Sequence, residues 1–252
     1  MGSRGAKYPL IDEIQDKDRI RMVKEIFSTI MGKYDFLNHF LSLRQDIAWR
    51  RFAVEKIACL NTHRFLDVAT GTSDLAIVAA IRHPDMDVTG LDFVQEMLDQ
   101  GMKKILKKGL SHRIHLVKGD ALHIPFPKET FDAVGIAFGI RNIPDKAKAL
   151  SELKRVVVPG GEVLVLELTF PQTPYFKHLY DVYLNRLLPL VARLFSPNPE
   201  AYQYLGDSVM NFPSVERFAR MMQHAGWVGV RAYPLTLGIC RLFVGRKPER
   251  SC

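Results

Sequence analysis

The chain has 252 residues, a net charge of +8 and three cysteines, with 47% hydrophobic and 25% charged residues. That balance fits an ordinary globular protein with a sizeable core and excludes a disordered, fibrous or disulfide-stapled chain. Cys59, Cys240 and Cys252 are far apart, with no C-x-x-C pair and no histidine at metal-ligand spacing, so no zinc site is expected and a reducing, cytoplasmic setting is. The positive charge permits nucleic acid, an anionic membrane surface or an acidic substrate as partner and chooses none of them.

Residues 1–19 are polar and include Asp12, Glu13, Asp16 and Asp18, where a transit peptide avoids acids, and no run is apolar enough to span a bilayer. Apolar residues recur at helical spacing over 20–30, and a second amphipathic helix is expected over 46–57. Between them Tyr34 and Asp35 either cover a ligand or pack a helix turn, the second being the plainer reading. Residues 1–60 thus form a helical extension.

The stretch Arg64-Phe-Leu-Asp-Val-Ala-Thr-Gly-Thr-Ser-Asp74 reads as a buried strand with Asp67 near its end, a turn through Thr70-Gly71-Thr72, and a helix over 75–80. Backbone N–H groups at such a helix start favour an anion, while the Asp67 carboxylate accepts hydrogen bonds or a cation. Strands are then expected at 87–92, 113–120, 131–138 and 161–168, with helices at 94–107 and 146–156. The alternation predicts right-handed crossovers and a parallel sheet with helices on both faces, its ligand outside the carboxyl ends of the strands.

The pattern breaks after Pro171. Residues 174–195 are rich in Leu, Tyr and Phe and too long for a βα loop, so 172–212 is read as an inserted helical cap. A helix over 214–224 and strands over 228–236 and 239–245 follow, the two strands joined so tightly at Leu237-Gly238 that they must be antiparallel neighbours. The expected fold is α/β and Rossmann-like: a core over 61–171 completed by 213–252, with a mostly parallel seven-stranded sheet ending in an antiparallel hairpin.

Asp67, Asp92 and Asp120 each end or follow a predicted strand, which places three acids along one rim. In such a sheet Asp92 accepts hydrogen bonds from ribose hydroxyls. Asp120 and Ala121 then lie by the adenine edge, and Gly71-Thr72 carries the amino-acid or phosphate end of the ligand. A dinucleotide requires G-x-G-x-x-G, whereas Ser73 and Ala76 stand at the later positions, so S-adenosylmethionine fits better than NAD. After the fourth strand comes Phe138-Gly-Ile-Arg-Asn-Ile-Pro-Asp145, which lacks the Asn/Asp-Pro-Pro-aromatic loop of amino-methylating nucleic-acid enzymes. Arg141 and Asn142 are expected at the rim; the alternatives are that Arg141 pairs with a surface acid and that Asn142, or Asp145, caps the next helix. No aromatic-interleaved basic patch supports nucleic-acid binding.

These segments, with Lys33-Tyr-Asp-Phe-Leu-Asn38, Pro159-Gly-Gly-Glu-Val-Leu-Val-Leu-Glu-Leu168 and Tyr202-Gln-Tyr-Leu-Gly-Asp-Ser208, resemble the ubiquinone/menaquinone biosynthesis C-methyltransferase family. The resemblance implies methyl transfer from S-adenosyl-L-methionine to a polyprenyl hydroquinone ring, with Thr72, Asp92, Asp120 and Ala121 as cofactor contacts beside Asp67 and Gly71. Ala137 stands where the family commonly has serine, and Phe243 where some members have histidine. Arg141 is expected to stabilise the ring phenolate directly or through water and Asn142 to orient the ring, with no base assigned. In the cap, Tyr180, Tyr183, Leu187 and Leu188 are expected to line an apolar tunnel or simply to pack a core. Lys177, Arg186 and Arg193 are expected to meet anionic headgroups, giving peripheral membrane association. Alternatives are another phenolic or lipid acceptor, or a non-catalytic cofactor-binding assembly subunit; a homodimer is neither required nor excluded.

Overall fold

The computed structural model describes residues 42–57, 61–171, 176, 180, 182 and 200–250, the residues 200–203 by backbone alone. The expected helix at 20–30, Tyr34, Asp35, Cys59, Cys252 and most of the cap, including Lys177, Tyr183, Arg186, Leu187, Leu188 and Arg193, lie outside the described residues. The elements are α1 Gln45–Val54, β1 Arg64–Val68, α2 Asp74–Arg82, β2 Asp87–Asp92, α3 Gln95–Lys107, β3 Ile114–Lys118, β4 Phe131–Ala137, α4 Lys146–Val156 and β5 Val157–Leu168. They continue with α5 Glu200–Met210, α6 Val215–His224, β6 Val228–Leu235 and β7 Cys240–Arg246.

The strands form one sheet in the order β3-β2-β1-β4-β5-β7-β6. All neighbours are parallel except β7, which runs antiparallel to both β5 and β6. Strand periodicity divides the apolar residues between the two faces. Phe65 of β1 and Leu164 and Leu166 of β5 join Trp49, Ala53 and Val54 of α1 and Leu75 and Ala76 of α2 in one cluster. Leu66 and Val68, with Val163 and Val165, join Leu150 and Leu153 of α4 and Phe218 and Met222 of α6 in the other. The predicted parallel core with a closing hairpin is the observed architecture.

Three local differences have physical reasons. β3 stops at Lys118, so Asp120 sits beyond the ladder in a lone bridge with His123. β5 begins at Val157, straight out of α4, because Gly160 adopts a φ of 79° and the pairing with β4 shifts register between Phe131 and Ala133. A Cβ on Gly161 would stand 2.4 Å from the Asp132 carbonyl, so glycine is required for that close approach. Third, α4 is capped by Asp145, which accepts from the Lys148 N–H at 2.8 Å, and this releases Asn142 from the capping role.

Gly135 of β4 lies opposite Asp67 of β1, and a Cβ there would come within 2.6 Å of the Phe65 ring and 2.9 Å of Leu75. Gly135→Ala is therefore expected to destabilise the protein by about 1–3 kcal/mol through overpacking, measured by urea denaturation. An unchanged midpoint would mean that the ring moves aside freely.

Candidate active site

The site is built at the carboxyl end of β1. Asp67 is 1% exposed, and its Oδ2 accepts from the Thr70 hydroxyl at 2.6 Å and from the Ala76 N–H, in the first turn of α2, at 3.0 Å. Room for this comes from glycines on both neighbouring strands, Gly90 of β2 and Gly135 of β4, which lie in register with Asp67. A Cβ on Gly90 would press to 2.9 Å from the Thr70 hydroxyl. Burial raises the Asp67 carboxyl from 3.8 to about 7, against the lowering by the Thr70 hydroxyl, the Ala76 N–H and the Arg50 charge. Its Oδ1 has no hydrogen-bond partner among the described residues.

From there the chain turns through left-handed backbone at Ala69 (φ 52°), Gly71 (φ 53°) and Ser73 (φ 67°). At Gly71 the direction a side chain would take is open space, so a ligand is free to approach the backbone closely. Asp92, at the end of β2, accepts from the Gly71 N–H at 2.8 Å through Oδ2 and from the Val94 N–H at 2.9 Å through Oδ1. Burial raises its pKa, and these N–H groups oppose the rise. Each carboxylate oxygen keeps a further lone pair, which is the acceptor capacity that a pair of ribose hydroxyls needs.

One cavity opens over this turn. Gly71, Asp92, Asp120, Ala121, Phe138 and Asn142 stand around it, with Met97, Leu122 and Ile143 giving an apolar slot. A flat, largely apolar slot beside a satisfied carboxylate and an open glycine turn fits a nucleoside with an amino-acid arm. Phe138 is itself left-handed (φ 58°), and its ring packs on Trp49 at 6.1 Å with the Arg50 guanidinium carbon 5.1 Å from its centroid, so α1 shapes the wall.

The cavity thus gathers Gly71, Asp92, Asp120, Ala121 and Asn142, whereas Asp67, Thr72 and Arg141 stand behind its wall. The Thr72 hydroxyl accepts from Lys104 at 3.1 Å, and Lys104 also pairs with Asp74. Arg141 faces inward: Nη1 donates to Glu167 Oε1 and to the Phe138 carbonyl, both at 2.6 Å, and Nε donates to the Ser208 hydroxyl at 3.2 Å. The Arg141 N–H reaches Glu167 Oε2 at 3.1 Å. Its acid is the fully buried end of β5, not the surface acid of the alternative reading. Glu167 was detectable as a charge within the apolar run Val-Leu-Val-Leu-Glu-Leu; Tyr204, which donates to Asn142 Oδ1 at 3.1 Å, lies in the family-like segment Tyr202–Ser208, but that segment by itself assigns it no role, and the apolar lining residues carry no comparable signal.

A model of the ubiE/COQ5 methyltransferase family matches residues 13–247. The ubiquinone/menaquinone biosynthesis C-methyltransferase UbiE of Geotalea daltonii is 43% identical over 226 residues, 89% of this chain and 96% of its own. The demethylmenaquinone methyltransferases of Deinococcus radiodurans and Thermus thermophilus are 42% and 44% identical over 95% and 88% of this chain, and over 97% and 100% of their own. Among solved structures, a SAM-dependent methyltransferase of Aquifex aeolicus has a TM-score of 0.54 at 19% identity, over 78% of this chain and 88% of its own. Phosphoethanolamine N-methyltransferase 2 of Haemonchus contortus, in complex with S-adenosyl-L-methionine, has a TM-score of 0.58 at 18% identity, over 79% of this chain and 52% of its own. These two are likenesses of fold.

Because its folded pKa is raised, the stability that a proton on Asp67 contributes is fully present below 3.8 and is lost as the pH rises through about 7. Asp67→Asn cannot ionise. Its unfolding free energy relative to the native chain is expected to grow by roughly 4 kcal/mol between about pH 4 and pH 8, and a pH-independent difference in urea titrations would refute this. Arg141→Ala, which strands the buried Glu167, is expected to cost about 3–5 kcal/mol. The pair Arg141→Met with Glu167→Gln should recover most of that loss, and denaturation curves of the two variants make the comparison.

Proposed function

The chain belongs to the ubiE/COQ5 methyltransferase family and is an S-adenosylmethionine-dependent C-methyltransferase of quinone biosynthesis; we propose that its acceptor, a demethylated polyprenyl quinol, lies against the Asn142 wall of the cavity. The observation that carries this reading is that Asp92 and Asn142 line one and the same cavity. S-adenosylmethionine, when bound, supplies an electrophilic methyl group on a sulfonium. In our reading Asp92 takes the ribose hydroxyls, Gly71 lies along the amino-acid arm, and Asp120 and Ala121 border the adenine. Asp67 and Thr72 act from behind, fixing the turn through Ala76 and Lys104.

A hydroquinone becomes a carbon nucleophile when its phenolic proton, with an ordinary pKa of roughly 10, is lost and charge spreads to the ortho carbon. In this reading Asn142 meets the ring oxygen and orients the ring, which brings the carbon into line with the methyl. Arg141 contributes by holding the turn: paired with Glu167 it forms a neutral dipole under Asn142. That is a positioning role, in place of direct contact with the phenolate.

The same reading includes peripheral contact with an anionic membrane, where polyprenyl quinols reside. It is supported by the net charge of +8 and by two outward leucines, Leu43 (80% exposed, φ 50°) and Leu237 (63% exposed, φ 58°). The helix that follows the Leu43 turn is tied to the Leu237 turn, for Trp49 of α1 donates to the Thr236 hydroxyl at 2.9 Å. Among the described residues no helix is long and apolar enough to cross a membrane.

The test is methyl transfer from labelled S-adenosylmethionine to demethylated mena- and ubiquinols carried in vesicles, with the product position identified. Ring-carbon methylation is expected, faster from anionic than from neutral vesicles at moderate salt. Transfer to oxygen, or to simple phenols or other lipids in place of either quinol, would overturn the acceptor; equal rates from both vesicle types would overturn the membrane contact.

A further inference from the structure

Asn142 and Arg141 lie in a three-residue 3-10 turn, Ile140–Asn142, too short to set its own side chains. One face of α5 does it. Tyr204 and Ser208 are four residues apart and so stack one above the other on a helix. The Tyr204 hydroxyl donates to Asn142 Oδ1 at 3.1 Å, and the Ser208 hydroxyl accepts from Arg141 Nε at 3.2 Å while donating to the Leu205 carbonyl at 2.8 Å. Both side chains are buried, Tyr204 at 6% exposure. The turn is therefore clamped from both sides, by Glu167 of β5 below and by α5 across from it.

The clamp has a direction. A carboxamide has one acceptor end and one donor end, and its two ends cannot face the same way. With Oδ1 committed to the Tyr204 hydroxyl, the NH2 group of Asn142 is the end left for the cavity that Asn142 lines. We propose that Tyr204 is a positioning residue that locks the Asn142 amide with its NH2 toward the acceptor ring, making Asn142 a hydrogen-bond donor to the ring oxygen. A donor there stabilises charge as the oxygen becomes a phenolate, whereas the carbonyl end would favour the protonated phenol and oppose the reaction. This rests on the quinol reading above, and it adds which end of Asn142 acts and what fixes it.

The test reads binding apart from turnover. The probe is 2-hydroxy-1,4-naphthoquinone, whose anion absorbs in the visible, titrated with the full chain in the presence of S-adenosylhomocysteine. The native chain is expected to bind the anion in preference to the neutral form, so that the pKa of the bound probe falls. Tyr204→Phe should weaken anion binding by roughly tenfold, the worth of one hydrogen bond to a charged group, with S-adenosylhomocysteine affinity unchanged. Asn142→Ala should lose at least as much, and adding Tyr204→Phe to it should cost nothing more, since the hydroxyl acts through the amide. Asn142→Asp, which leaves an acceptor alone, should abolish the preference.

Independent, additive losses in the double variant would show that Tyr204 merely supports the fold, and anion binding by Asn142→Asp equal to that of the native chain would show that Asn142 is not the donor. If Tyr204→Phe fails to fold, seen as loss of S-adenosylhomocysteine binding, Asn142→Asp still decides the direction of the amide. A native chain that prefers the anion yet methylates no quinol would leave this inference standing and remove the acceptor proposed above. Quinol methylation by a chain with no preference between the two forms of the probe would do the reverse.

Discussion

A buried carboxyl holds the site together. Asp67 leaves β1 beneath its own turn, and through one oxygen it binds the Thr70 hydroxyl and the first turn of α2. That fixes where α2 starts, which fixes the path of Gly71, which in turn places an N–H for Asp92 to accept. The chain of contacts runs from strand to turn to the next strand, and among the described residues no charged partner is in direct contact with Asp67. Such a carboxyl is costly to ionise in an apolar setting, and the two glycines beside it, Gly90 and Gly135, are the spatial condition for its presence. Substituting either glycine would disturb this support although neither lines the cavity.

Behind the cavity wall one charged pair is buried and another is partly exposed; at the wall the polar groups keep hydrogen-bonding capacity. Arg141 and Glu167 form a neutral pair that carries the 3-10 turn, and Lys104 joins Thr72 to Asp74 under the glycine turn. A buried pair of this kind contributes little net stability, but losing either member is severe. Its service here is geometric, since it sets where Asn142 stands.

Much of this was legible in the chain. Alternation of apolar strands and amphipathic helices is a property of local sequence, and it marked all seven strands and the antiparallel closure at Leu237-Gly238. Asp92, Asp120, Ala121 and Gly71 were legible because strand ends and glycine turns fix where a residue sits along the rim. Which way Arg141 and Asp67 face was not, because direction depends on partners far along the chain, Glu167 for one and the glycines of β2 and β4 for the other. Tyr204 stood in the family-like segment Tyr202–Ser208, but its role was hidden for the same reason: its contact with Asn142 spans 62 residues, and a tyrosine on an amphipathic helix has many ordinary uses. The early start of β5 was obscured because Pro159-Gly160-Gly161 reads as a loop until the bulge against β4 is seen.

The place of β7 bears on how the protein is made. It is the last strand in the chain yet lies inside the sheet, between β5 and β6, with Glu167 opposite Arg241 in its register. During synthesis, every strand that flanks the cavity emerges before β7, but β5 then presents an unpaired edge of long, apolar backbone. The Glu167 end of that strand stays without its β7 partner until Cys240–Arg246 has been made. Closure of the sheet is thus a late event, and chains stalled before Cys240 would expose a sticky edge at the moment when the strands around the cavity are already made.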